Sequence, residues 1–212
     1  STQFQSAIPP YPAENKPIAP ADNQAFELFN RKEKPLDVLI LRASEPSFFD
    51  KLKFKLGFSF LNYRILDVDK FDSENEEKRK EKLFNKLKDY HRRGLLGENT
   101  QVFIYAHGNE RKEFSFTFRA EDNRTTITAR ELFSELRNQP VSDNPADNQP
   151  WKGCINVISC FARRATEAAQ EFDGPTITHA GKEATWKKDG VAILNKSIDI
   201  LNANKFLGEP PF

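Results

Sequence analysis

The sequence predicts an α/β fold: a three-layer sandwich with a mostly parallel central sheet, helices on both faces and small hairpins attached. Three observations predict it. Nearly continuous apolar runs stand at 36–41 (LDVLIL), 101–106 (QVFIYA) and 154–159 (CINVIS), and strands read this way when both of their faces are buried. Polar helical stretches alternate with these runs, as parallel strands require, because each return crosses the whole sheet. A length of 212 residues suits one domain, with a core large enough to stand without disulfides or metal.

The elements follow in chain order. Residues 1–35 hold Pro9, Pro10, Pro12, Pro17, Pro20 and Pro35; fixed φ and missing donors make this an extended arm, and the folded domain is expected over 36–212. Residues 36–41 are the first strand, 46–60 (PSFFDKLKFKLGFSF) fit helix or strand, and 63–68 are the second strand. Residues 73–93 form the clearest helix: Ser73 as N-cap, acids in the first turn, bases in the last, Gly94 beyond. His91, in that charged end, reads as solvated and favourable to the helix dipole. After the third strand at 101–106, residues 113–128 alternate polar and apolar as a hairpin. Thr128 with Glu131 is a capping box for a helix through Arg137. Residues 138–150 are a long loop rich in Pro, Asn and Asp. A fourth strand at 154–159, a helix near 163–172, a fifth strand at 176–179 and a mixed tail complete the chain, with Trp186 on a hairpin.

Composition narrows the function. Thirty-two basic against 31 acidic residues give a net charge of +1, which carries no footprint for nucleic acid. No run approaches the ~18 apolar residues of a membrane span, and no Sec signal is visible at the N-terminus. Cys154 and Cys160 lie six apart in one strand, roughly 20 Å in extended chain, too far for a disulfide. Two free thiols fit a reducing compartment. The three His and two Cys lack zinc spacing, so no metal and no cofactor are expected. Position 166 is Thr where a Cys-based phosphatase loop needs Arg, and no Walker A or G-x-S-x-G is present.

In parallel sheets reactive groups gather past the carboxyl ends of strands. Arg42 follows the first run, His107-Gly108-Asn109 the third, and Cys160 the fourth, while His179 ends the fifth. If the third and fourth strands are neighbours, Cys160 and His107 form a nucleophile–base pair in which the imidazole favours the thiolate. Gly108, lacking Cβ, admits a close approach of backbone N–H to a substrate carbonyl, and with the N–H of Cys160 would make an oxyanion hole. The plainer readings are a packing cysteine and a His-Gly turn. Cys154, at the opposite end of its strand, reads as core.

The block 102–109 (VFIYAHGN) followed by 155–160 (INVISC) resembles the caspase-like (clan CD) cysteine peptidases, nearest in style to the autoprocessing protease domains of bacterial toxins. The resemblance covers the strand order over roughly 36–195, but only about fifteen residues match as motif. It implies a cysteine endopeptidase with Cys160 as nucleophile, His107 as general base, and an oxyanion hole at Gly108 and Cys160. Ser159 replaces the commoner Ala or Gly, and no subfamily signature follows Cys160. Arg42, His179 and Arg163 are candidate substrate contacts, each with a plainer alternative: a surface arginine, a strand cap, a solvated helix face. The toxin domains bind an inositol phosphate through lysines, and Lys182, Lys187 and Lys188 are the nearest match, against scattered lysines on a solvated hairpin. With a composition rich in Lys, Asn and Phe, this points to a bacterial effector or toxin fragment that acts on protein substrates in a host cytosol, or else a cytoplasmic protein. The alternatives are a catalytically silent binding module of the same fold, and a cysteine-dependent transferase or deamidase using the same dyad.

Overall fold

The computed structural model describes residues 33–43, 52, 55–71, 75–109, 112–120, 123–138, 149–180 and 186–208. The Pro-rich arm falls outside them apart from its last three residues, as does most of the 138–150 loop. The main sheet has five strands, all parallel: β1 (Val38–Arg42), β2 (Tyr63–Asp67), β3 (Gln101–Tyr105), β7 (Cys154–Ser159) and β8 (Thr176–Ala180), in the spatial order β2-β1-β3-β7-β8. A second sheet is antiparallel: β4 (His107–Gly108), β5 (Ser115–Ala120) and β6 (Asn123–Thr128). The expected α/β class, parallel sheet and hairpin are all present.

Register explains the two cores. Leu39, Val102 and Ile155 lie level on neighbouring strands, as do Ile40, Phe103 and Asn156 one residue on. Successive side chains leave opposite faces of a strand. The Leu39 row, with Leu41, Ile104 and Val157, packs beneath α1 (Glu76–Arg92), α2 (Ala129–Arg137) and the hairpin. The Ile40 row, with Val38, Tyr105 and Ile158, packs beneath Leu52 and Leu56 and beneath α4 (Trp186–Leu207). Between β7 and β8 stand a 3-10 turn, Ala162–Arg164, and the five-residue α3 (Ala165–Ala169).

Several local expectations change. The side chain that caps α1 is Asn75, which accepts from the N–H groups of Glu77 and Lys78; Ser73 lies outside the described residues. Gly94, at φ 75°, turns the chain out of α1 as only glycine does freely. His91 is not solvated: it is 5% exposed, with Nε2 3.1 Å from the Glu135 carbonyl. The undecided 46–60 segment is helical at Leu52 and Lys55–Gly57. The helix near 163–172 is shorter than expected. The mixed tail is one 22-residue helix, so Trp186, Lys187 and Lys188 open α4 rather than sit on a hairpin. The Thr128–Glu131 capping box forms as read.

α4 runs against the strands. At its start, the Tyr105 hydroxyl donates to the Lys187 carbonyl at 2.5 Å, at the carboxyl end of β3. Near its end, Lys205 Nζ is 3.0 Å from Asp37, at the entry to β1.

Candidate active site at the carboxyl edge of the sheet

β1 and β3 are neighbours, yet the chain leaves β1 toward β2 on one side and leaves β3 toward β7 on the other. Such a reversal opens a crevice at the carboxyl edge. β3 and β7 pair in parallel as far as Tyr105 opposite Ile158, and the Ala106 N–H donates to the Ile158 carbonyl at 3.3 Å. His107 and Cys160 follow those two strands at the same edge.

Beyond Ala106 the chain changes sheets. His107 pairs with Thr117 and Gly108 with Phe116, which ties the histidine backbone to the β5–β6 hairpin. A Cβ on Gly108 would stand 2.1 Å from the Cys160 carbonyl oxygen and 2.8 Å from the Phe114 ring. The missing Cβ is therefore already used by the protein's own backbone, a use other than the expected approach of substrate. The Ser159 hydroxyl donates to the same carbonyl at 3.0 Å, so the peptide leaving Cys160 is held from two sides. Phe161 then adopts φ 54°, ψ 31°, the left-handed region, and is the sole non-glycine with positive φ among the described residues. A bulky residue held there stores strain, and the tight turn starts directly after the cysteine.

Cys160 is 7% exposed and packs in the α4-side core, whereas His107 and Gly108 are half-buried. Both cysteines are free thiols. Burial pushes the Cys154 thiol up, making it a poor nucleophile.

Arg42, Tyr105, Ile158 and His179 are successive register partners across four strands, one row below the edge. Arg42 is no surface arginine: it is 3% exposed, and its Nε donates to Asp67 Oδ1 at 2.6 Å. His179 lies beside Ile158 on β8. Its Nε2 is buried with no hydrogen-bond partner among the described residues, and desolvation lowers its pKa, so the ring stays neutral. Arg163 is exposed on the 3-10 turn. Lys187 and Lys188 lie in the first turn of α4, and Lys182 falls outside the described residues.

Sequence reasoning missed Tyr105, Phe161 and Phe114. Tyr105 was hidden inside an apolar run, and nothing in the sequence marks a phenylalanine for the left-handed region. A cavity of about 330 Å³ also opens between the hairpin entry and α3, lined by Lys112, Phe114, Arg130, Arg164 and Glu167 among others. Among the described residues no His/Cys/Asp/Glu group suits a metal ion, and no helix is long and apolar enough to cross a membrane. Searches of family models, curated proteins and solved structures return no match to this chain.

Proposed function

We propose that the chain is a caspase-like cysteine endopeptidase acting on protein substrates, with Cys160 as nucleophile and His107 as general base. The observation that carries this reading is the seating of Gly108 on the Cys160 carbonyl, because it holds the His-Gly step that follows β3 against the cysteine end of β7. In the reaction the Cys160 thiol passes its proton to the His107 imidazole, and Sγ attacks the scissile carbonyl carbon. The tetrahedral oxyanion collapses, the C–N bond breaks, and the imidazolium protonates the leaving amine. His107 then deprotonates a water, which cleaves the thioester and restores the thiol. Arg42, His179 and Arg163 belong to this reading as substrate contacts; of the three only Arg163 is exposed, and Arg42 is held by Asp67.

An activator belongs to the same reading: an inositol phosphate or a host protein engaging Lys182, Lys187 and Lys188, with the last two carried by the helix that Tyr105 anchors. One observation favours a second reading. A thiol only 7% exposed is buried as a packing residue would be, which fits a catalytically silent binding module.

Iodoacetamide labelling separates the two readings. The peptidase reading expects Cys160 to label much faster than Cys154 near neutral pH, and Cys160→Ala to abolish cleavage of protein substrates while the domain stays folded. Labelling of Cys154 at an equal or faster rate removes the nucleophile assignment. Thermal shift with inositol hexakisphosphate tests the activator, since a ligand at 100 times its Kd stabilises by about 2.7 kcal/mol.

A further inference from the structure

His179 Nε2 is sealed from solvent and has no hydrogen-bond partner among the described residues. Buried polar side-chain atoms are mostly paired, and an unpaired one in a native fold asks for a reason, a catalytic role among them. The other polar side chains of its register row are engaged: Arg42 by Asp67, and the Tyr105 hydroxyl by the Lys187 carbonyl.

Strand parity gives His179 its neighbour. Register partners leave the same face of a sheet, and the partner of His179 is Ile158. Ile158 packs in the α4-side core, and so does Cys160 two residues on; the Ser159 hydroxyl between them donates to the Cys160 carbonyl. His179 and Cys160 are therefore diagonal neighbours on one face. At about 4.8 Å between strands and about 3.3 Å rise per residue, their α-carbons lie about 8 Å apart, a diagonal that aromatic side chains span. β7 lies between β3 and β8. His107, which follows β3, and His179, on β8, thus flank Cys160 from opposite neighbouring strands.

The two imidazoles suit different work. Desolvation keeps His179 neutral, so its ring offers one N–H and competes poorly for a proton. When His107 takes the thiol proton, the charge left on sulfur sits in a site only 7% exposed. A neutral N–H directed at it makes a charge-assisted hydrogen bond. We propose that His179 Nε2–H donates to the Cys160 thiolate, which makes His179 a second catalytic histidine. The S–H bond breaks, its proton goes to His107, and His179 holds the negative charge without changing its own protonation. The inference rests on Cys160 being the nucleophile and adds the group that stabilises it.

The test is the pH dependence of iodoacetamide labelling of Cys160 in the full chain, with Cys154 as internal reference. His179→Leu is expected to raise the midpoint by about one pH unit and to slow labelling about tenfold near neutral pH. His179→Gln, whose amide donates, recovers part of that loss. Cys154 keeps its slow rate in both variants, which reports an intact fold. An unchanged midpoint in His179→Leu, or equal midpoints in the two variants, overturns the proposal; the Cys160–His107 pair then still stands if His107→Ala slows labelling. Cys160 labelling no faster than Cys154 in the unaltered chain removes the nucleophile and this proposal together. A measurement free of folding effects is NMR of the unaltered chain. Capping Cys160 with methyl methanethiosulfonate should shift the His179 ring resonances, and unmoved resonances overturn the contact.

Discussion

Gly108 and Cys160 are in contact through backbone alone: the glycine α-carbon faces the cysteine carbonyl oxygen, and a Cβ there would come within 2.1 Å of it. Neither atom belongs to a flexible side chain, so a methyl group forces the ends of β3 and β7 apart. Gly108→Ala is expected to lose about 1–3 kcal/mol and to slow iodoacetamide labelling of Cys160. Gly57→Ala is the control, because nothing lies within 4 Å of its Cβ position. It should gain up to about 1 kcal/mol as an alanine on a helix. Urea denaturation reads both, and equal effects would remove the steric argument.

Acid sensitivity should fall on the two histidines whose pKa burial lowers, His179 and, more deeply buried, His91. Burial lowers the His91 pKa below the ordinary 6.5, so the folded state holds the ring neutral. As pH falls below about 6.5 the unfolded chain takes up the proton first, and stability declines toward the folded-state pKa. Glu135, whose carbonyl meets His91, works in the opposite sense. Desolvation raises its carboxyl pKa against the opposing pull of Lys88, so the folded state takes that proton earlier and gains stability as pH falls. His91→Gln should flatten the decline between about pH 6.5 and 5 in urea midpoints, and an unchanged slope would assign the decline to other groups.

Arg137 is 1% exposed, stacks on Trp151 with its guanidinium 4.8 Å from the ring centre, and donates to the carbonyls of Trp151, Gly153 and Pro175. It joins the end of α2 to the entries of β7 and β8. Arg137→Met keeps much of the stem but strands three acceptors, at a cost of about 3 kcal/mol. A loss below about 1 kcal/mol in chemical denaturation would show that water replaces the guanidinium.

Tyr105→Phe removes a hydroxyl that holds the first turn of α4 to β3. The expected cost is about 1 kcal/mol, with faster amide exchange confined to the start of α4. Faster exchange throughout the helix would instead mean that the hydroxyl stabilises α4 as a unit.

The strands that lead into His107 and Cys160 were readable because each is a nearly continuous apolar run, the pattern of a strand buried on both faces. α4 was not readable for a physical reason. Gly190, Val191, Ile193, Ile198 and Ile200 all disfavour helix in isolation, and packing overrides them. A Cβ on Gly190 would meet Tyr105 at 2.5 Å and Ile158 at 2.7 Å, so that glycine is a seat for the sheet rather than a helix breaker. Arg42 and His91 misled in another way. Each is polar in sequence, and only the arrival of a distant partner, Asp67 and the Glu135 carbonyl respectively, makes its burial tolerable.

Ala106 is the one residue separating a strand of the main sheet from a strand of the second sheet, so the β5–β6 hairpin is mechanically a handle on His107. Cys160 follows the end of β7, and its carbonyl oxygen is the surface on which Gly108 of that hairpin sheet is seated, so the hairpin and the cysteine peptide are packed against each other.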